Sequence, residues 1–165
     1  MTPNICHMQR ESQIRPHGNP ESEWPKHALM LSASPFGDDV SLAFSGAKYD
    51  IEEAAKCLAL RRATACVFHL MRTMEYSVQR LCAKLGITNV DREWGKLLSS
   101  IDEAIKAMGK TDEANDWSEI RSSMYHVKQA WRNTTMHPNK TYTEEQAEEI
   151  FRAVKSFLVH LATKV

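Results

Sequence analysis

The sequence lacks most of the features that would assign it quickly. It has no net charge, since 21 Lys and Arg stand against 21 Asp and Glu. No global field therefore draws it to nucleic acid or to an anionic membrane, and any phosphate-binding surface has to be local. No apolar run approaches the roughly 20 residues that span a bilayer. The N-terminal stretch MTPNICHMQRESQIRPHGNP contains no apolar segment of the secretory kind, so the expectation is a cytoplasmic chain without membrane association. The cysteines Cys6, Cys57, Cys66 and Cys82 form no C-x-x-C pair and no zinc-type spacing. Reduced thiols, no metal and no cofactor are the expectation. An alternating strand pattern, an internal repeat and a low-complexity tract are also missing.

What is present is ordinary for a globular domain. The chain has 165 residues, 42% of them apolar and 25% charged, enough for one hydrophobic core. Residues 1–26 are polar, with Pro3, Pro16, Pro20 and Pro25 and no apolar period, and read as a flexible tail. Residues 27–49 read as a packed, mostly irregular arm with a turn at Pro35-Phe36-Gly37-Asp38 and anchors at Leu31, Phe36, Val40, Leu42 and Phe44.

From residue 50 to 165 the period is helical, and an all-α antiparallel bundle of four to five helices is predicted. Asp50, with Glu53 three places on, has the form of an N-cap for a helix burying Ile51, Ala55 and Leu58. Val67, Leu70, Met74, Val78, Leu81 and Leu85 mark a second helix ending at Gly86, with a break expected near residues 60–62. Asp91 opens a third, carrying Trp94, Leu97, Leu98, Ile101, Ile105 and Met108 up to Gly109. Trp117, Ile120, Met124, Val127 and Trp131 stripe a fourth, which must end by His137 because Pro138 pushes its predecessor out of the α region. The capping box Thr143-x-x-Gln146 starts a fifth, with Ala147, Ile150, Phe151, Val154, Phe157, Leu158 and Leu161 inside.

The fourth helix and its exit are chemically distinctive. Residues 121–140 hold Arg121, Lys128, Arg132, Lys140, His126 and His137 and no carboxylate. Helical spacing sets Arg121, Tyr125, Lys128 and Arg132 along one face, where phosphates could lie. The same cations could instead pair with the Glu144, Glu145, Glu148 and Glu149 cluster that follows. The Arg-x4-His spacing of Arg132 and His137 does not single them out, because Arg121 and His126 share it. Five residues along an intact helix turn side chains about 140° apart, so that second pair diverges. His137, at a helix end set by Pro138, is freed from this geometry.

RNA carries its own nucleophile, the ribose 2′-hydroxyl, so cleavage by transesterification requires a group that moves protons and a cation that stabilises the phosphorane charge. Histidine suits the first task and guanidinium the second. Asn133 could orient either partner. His69, beside Cys66 and Arg72, makes no ligand set and reads as a packed or surface residue, and Trp117, Trp131, Met71, Met74 and Met124 read as core.

The string WRNTTMHPNKTYTEEQAEEIFRAVKSFLVHLA resembles the C-terminal half of the HEPN superfamily, in which Arg, a polar residue, three more and His precede an acidic helix. DIEEAAKCLALRRATACVFHLMRTMEYSVQRLCAKLG resembles its paired helices, with Glu75 as the acidic residue within the second. The resemblance covers about residues 50–163. It implies a homodimeric, metal-independent endoribonuclease with RNA as substrate. Arg132 would hold the phosphate, His137 would act as acid or base, Asn133 would orient, and Glu75 would position Arg132. It also implies a toxin or phage-defence setting and an antitoxin or nucleotidyltransferase partner. The chain departs from the pattern twice. Asn139 stands where such toxins often carry a modifiable Tyr, the nearest being Tyr142, and Arg61 stands where related chains commonly have Gly between the first two helices.

Overall fold

Apolar residues recurring every three or four positions form helices throughout the parts of the chain described by the computed structural model, residues 32–88, 94–127 and 141–165. These parts contain six α-helices and one 3-10 turn, with no strand among the described residues. The helices are α1 (Asp38–Ala43), α2 (Lys48–Ala59), α3 (Ala63–Lys84), α4 (Trp94–Ala107), α5 (Asp112–Val127) and α6 (Glu144–Ala162). The 3-10 turn, Ser45–Ala47, joins α1 to α2. The protein is all-α in these regions. None of the described helices is long and apolar enough to cross a membrane.

The arm is more regular than its sequence suggests, because Asp38–Ala43 is α-helical and Ser45–Ala47 a 3-10 turn. Asp38 and Asp39 occupy the first turn of α1, where the helix dipole favours negative charge. Phe36, Val40 and Phe44 are buried. The Phe36 ring meets Phe151 of α6 edge-on at 4.9 Å between centroids, and Lys155 Nζ donates to the Pro35 carbonyl at 3.2 Å. Leu42, expected as an anchor, is 79% exposed. Two residues beyond buried Val40, it is turned about 200° away around the short helix.

Helix α2 begins at Lys48, and Asp50 is not its cap. The preceding 3-10 turn runs directly into the helix through Ala47, which has helical dihedrals. Asp50 lies buried in the first turn, and its carboxylate faces α3 instead. The expected break falls after α2. Arg61 has φ 58; its N–H donates to the Leu58 carbonyl at 3.1 Å and that of Arg62 to Cys57 at 2.8 Å. This is a Schellman closure with arginine in the left-handed position. The end of α3 repeats it with glycine, where Gly86 has φ 72 and the Gly86 and Ile87 N–H groups donate to Ala83 and Cys82.

Helix α3, about 33 Å long at 1.5 Å per residue, packs against α2 on one side and α6 on another, while α4 packs on α5 and α5 on α6. Trp94, Leu97, Leu98, Ile101 and Ile105 of α4 are buried, as are Trp117, Ile120, Met124 and Val127 of α5. Gly109, at φ 72, ends the α4 segment, and the Thr111 hydroxyl caps α5 by accepting the Ala114 N–H at 3.1 Å. At α6 the capping box is complete: Thr143 Oγ1 accepts from the Gln146 N–H while Gln146 Oε1 accepts from the Thr143 N–H. All seven apolar residues expected inside α6 are buried. The core joins every helix in one apolar cluster. Its buried hydroxyls are locally satisfied, Thr73 by the His69 carbonyl and Ser77 by that of Thr73.

Candidate functional site

Arg132, Asn133, His137, Lys128 and Lys140 lie outside the described residues, as do Trp131, Pro138, Cys6, Leu31, Asp91 and the tail. The structure does describe both flanks of residues 128–140. One flank is the end of α5, with Val127 buried. The other is anchored to the first turn of α3, where Thr64 Oγ1 accepts the Tyr142 N–H at 3.1 Å. Beside it Arg61 Nε donates to both oxygens of Glu144, at 2.8 and 2.9 Å. A shallow cleft of about 570 Å³ opens here, lined by Arg61, Arg62, Thr64, Tyr142 and Glu144.

The described part of the basic face has a different electrostatic setting from the one its sequence suggests. Arg121 Nη2 donates to Asp102 Oδ2 at 2.6 Å, and its guanidinium stands 5.5 Å over the Tyr125 ring. The absence of carboxylates between residues 121 and 140 says nothing about the neighbouring helix. α4 supplies one. Among the described residues, Glu144 also holds Arg61 and Glu148 holds Arg152. The Tyr125 ring lies beside His126 as well, at 6.2 Å between ring centroids. Glu75 Oε1 accepts from Trp94 Nε1 at 3.1 Å, which links α3 to α4. Two α5 groups a turn apart, Trp117 Nε1 and Arg121 Nε, are buried without hydrogen-bond partners among the described residues.

The structure assembles a constellation that sequence reasoning left dispersed. Asp50 Oδ1 lies 2.9 Å from His69 Nδ1 and accepts from Arg72 Nε at 2.8 Å. The carboxylate is only 11% exposed. Because a carboxylate only accepts, a proton sits on His69 Nδ1 in this contact. The Tyr49 and Phe68 rings stand edge-on to the imidazole at 6.2 and 6.4 Å. The partners are 19 and 22 residues apart in sequence. Only the α2–α3 turn brings them together. The available signal was the i, i+3 placement of His69 and Arg72 on one face of α3, opposite an acid on an antiparallel neighbour.

Of the described cysteines, Cys66 and Cys82 are buried and Cys57 is half-buried. Cys57, Cys66 and Cys82 are all free; burial pushes the Cys66 thiol up to about 12 and that of Cys82 up to about 11. No cluster of three metal-ligating side chains occurs among the described residues.

These features define a protein that is all-helical among its described residues, with a basic stretch of sequence between α5 and α6. No protein-family model matches the chain, and no curated protein or solved structure matches it.

Proposed function

We propose that the chain is a HEPN-type helical ribonuclease that cuts RNA through the ribose 2′-hydroxyl. Arg132 holds the scissile phosphate and stabilises its developing charge, His137 transfers the proton, and Asn133 orients them. Arg121, Tyr125, Lys128 and Lys140 line the path of the strand. Two copies pair so that their motifs share a cleft, and the setting is a toxin or defence system with an antitoxin or nucleotidyltransferase partner.

The observation that carries this reading is the R-N-x3-H string of residues 132–137 in its helical context. It follows the basic end of α5 and precedes the capped, acidic start of α6. The α2–α3 pair supports it, because Arg61 adopts the left-handed conformation at the position where the resembling chains carry Gly. A second reading is a non-catalytic module of the same type that binds RNA, a nucleotide or a protein. The engagement of Arg121 by Asp102 favours it.

The test is incubation of the purified chain with single-stranded RNA in EDTA. Cleavage leaving a cyclic phosphate is expected, with His137→Ala and Arg132→Ala each lowering the rate about 10²- to 10⁴-fold. Cleavage undiminished in both variants would overturn the catalytic assignment. No cleavage together with retained RNA binding identifies the second reading. A monomeric mass in light scattering at micromolar concentration would refute the shared cleft.

A further inference from the structure

We propose that Arg61 and Thr64, at the α2–α3 turn, are positioning residues: together they clamp the point at which the chain returns to the bundle after His137. The clamp stands on the contacts of the turn, while its consequence for catalysis rests on the ribonuclease reading.

Two contacts converge on one short stretch. Thr64 Oγ1 accepts the Tyr142 N–H at 3.1 Å, and Arg61 Nε donates to both Glu144 oxygens, at 2.8 and 2.9 Å. The partners are 78 and 83 residues apart in sequence, and they flank Thr143, the N-cap of α6. Held on both sides of its cap, the start of α6 is fixed in position and direction. His137 precedes Tyr142 by five residues, a tether of about 18 Å at full extension. A shift at the anchor is therefore passed to the imidazole over a short length of chain. Catalysis by positioned groups is sensitive to such shifts, a misplacement of about 1 Å costing on the order of 10²-fold in rate.

The backbone shows that the Arg61 contact is kept against a penalty. Its φ of 58 lies in a region that a Cβ disfavours and glycine enters freely. The turn closes through backbone groups, with the Arg61 and Arg62 N–H donating to the Leu58 and Cys57 carbonyls, and glycine would serve there equally. What arginine adds is the guanidinium on Glu144. With side chains 64% and 31% exposed, that pair adds little stability, but an N–H shared between both oxygens centres the guanidinium on the carboxylate. Strain retained for a contact that orients more than it stabilises is the pattern of a functional position.

The experiment measures turnover of the full chain at saturating single-stranded RNA in EDTA, beside unfolding in urea. Arg61→Ala and Arg61→Gly both remove the contact to Glu144 and should lower kcat by the same factor, about tenfold, although the glycine variant is the more stable. Thr64→Val should lower it similarly, and Thr64→Ser should restore the parent rate. Arg152→Ala breaks an exposed pair with Glu148 on α6 and should leave turnover unchanged. Activity that follows stability, with Arg61→Gly near the parent and Arg61→Ala reduced, would overturn the proposal, as would parent-level turnover in Thr64→Val. Amide hydrogen exchange followed by NMR reads the clamp without catalysis. The Tyr142 N–H should exchange about tenfold faster in Arg61→Gly than in the parent, beyond any change at the Met74 amide, which reports global unfolding. A parent chain that cleaves no RNA but shows this response refutes the ribonuclease reading and supports the clamp. An unchanged Tyr142 exchange rate in Arg61→Gly overturns the clamp whether or not the parent cleaves RNA.

Discussion

Replacing Arg61 separates two contributions that the α2–α3 turn combines. Its φ of 58 places a Cβ-bearing residue in the left-handed region, at a cost of about 1–2 kcal/mol relative to a relaxed conformation. The side chain offsets part of this by donating to both Glu144 oxygens. With the two side chains 64% and 31% exposed, that pair contributes about 0.2–1 kcal/mol. Arg61→Ala and Arg61→Gly both remove the ion pair, and only the glycine removes the Cβ. Glycine recovers the conformational strain but loses about 0.4–1 kcal/mol through the greater freedom of the unfolded chain. Arg61→Gly should therefore be more stable than Arg61→Ala by about 1 kcal/mol, or roughly 2–4 °C in Tm for a chain of this size. Gly86 supplies the converse: it has φ 72, and an added Cβ would meet nothing within 4 Å. Gly86→Ala should cost about 1 kcal/mol through conformation alone. Urea unfolding followed by far-ultraviolet circular dichroism measures all three variants. Arg61→Ala as stable as Arg61→Gly, or more so, would refute the account of this turn.

Asp50→Ala should destabilise by about 1.5–3 kcal/mol, since it strips a recessed carboxylate from two partners; a melting temperature equal to the parent's would show that the cluster does not hold α2 to α3. Met74 is fully buried in the centre of α3, so Met74→Ala should cost about 2–5 kcal/mol by cavity formation, and a loss under 1 kcal/mol in denaturant titration would contradict that packing. The thiol of Cys66, raised to about 12, makes the folded state bind more protons than the unfolded state between the ordinary thiol pKa near 8.5 and 12. The corresponding stability is fully present below about pH 8.5 and is lost as pH rises toward 12. Cys66→Ala should flatten that alkaline decline, and an identical slope in parent and variant chains would rule out the thiol as its source.

The sequence by itself determined the features that depend on a few neighbouring residues. The buried stripes of α3, α4, α5 and α6, the Thr143–Gln146 capping box and the stops at Gly86 and Gly109 all follow from helical period and cap chemistry, which are local. The break between α2 and α3 was legible as an excess of helix length, though not the left-handed Arg61 that makes it. Tertiary structure alone decided the electrostatic partners. Asp50 reads as a cap in sequence because its neighbours resemble a capping motif; in the fold α2 starts earlier, and a recessed carboxylate is better satisfied by His69 and Arg72 across the helix pair. Arg121 reads as a cation for phosphate or for the Glu144 cluster until α4 brings Asp102 against it. Leu42 reads as an anchor until the six residues of α1 coil and turn it outward. In each case the deciding contact joins residues on different elements or depends on which way a short element coils, and that information resides in packing register rather than in residue spacing.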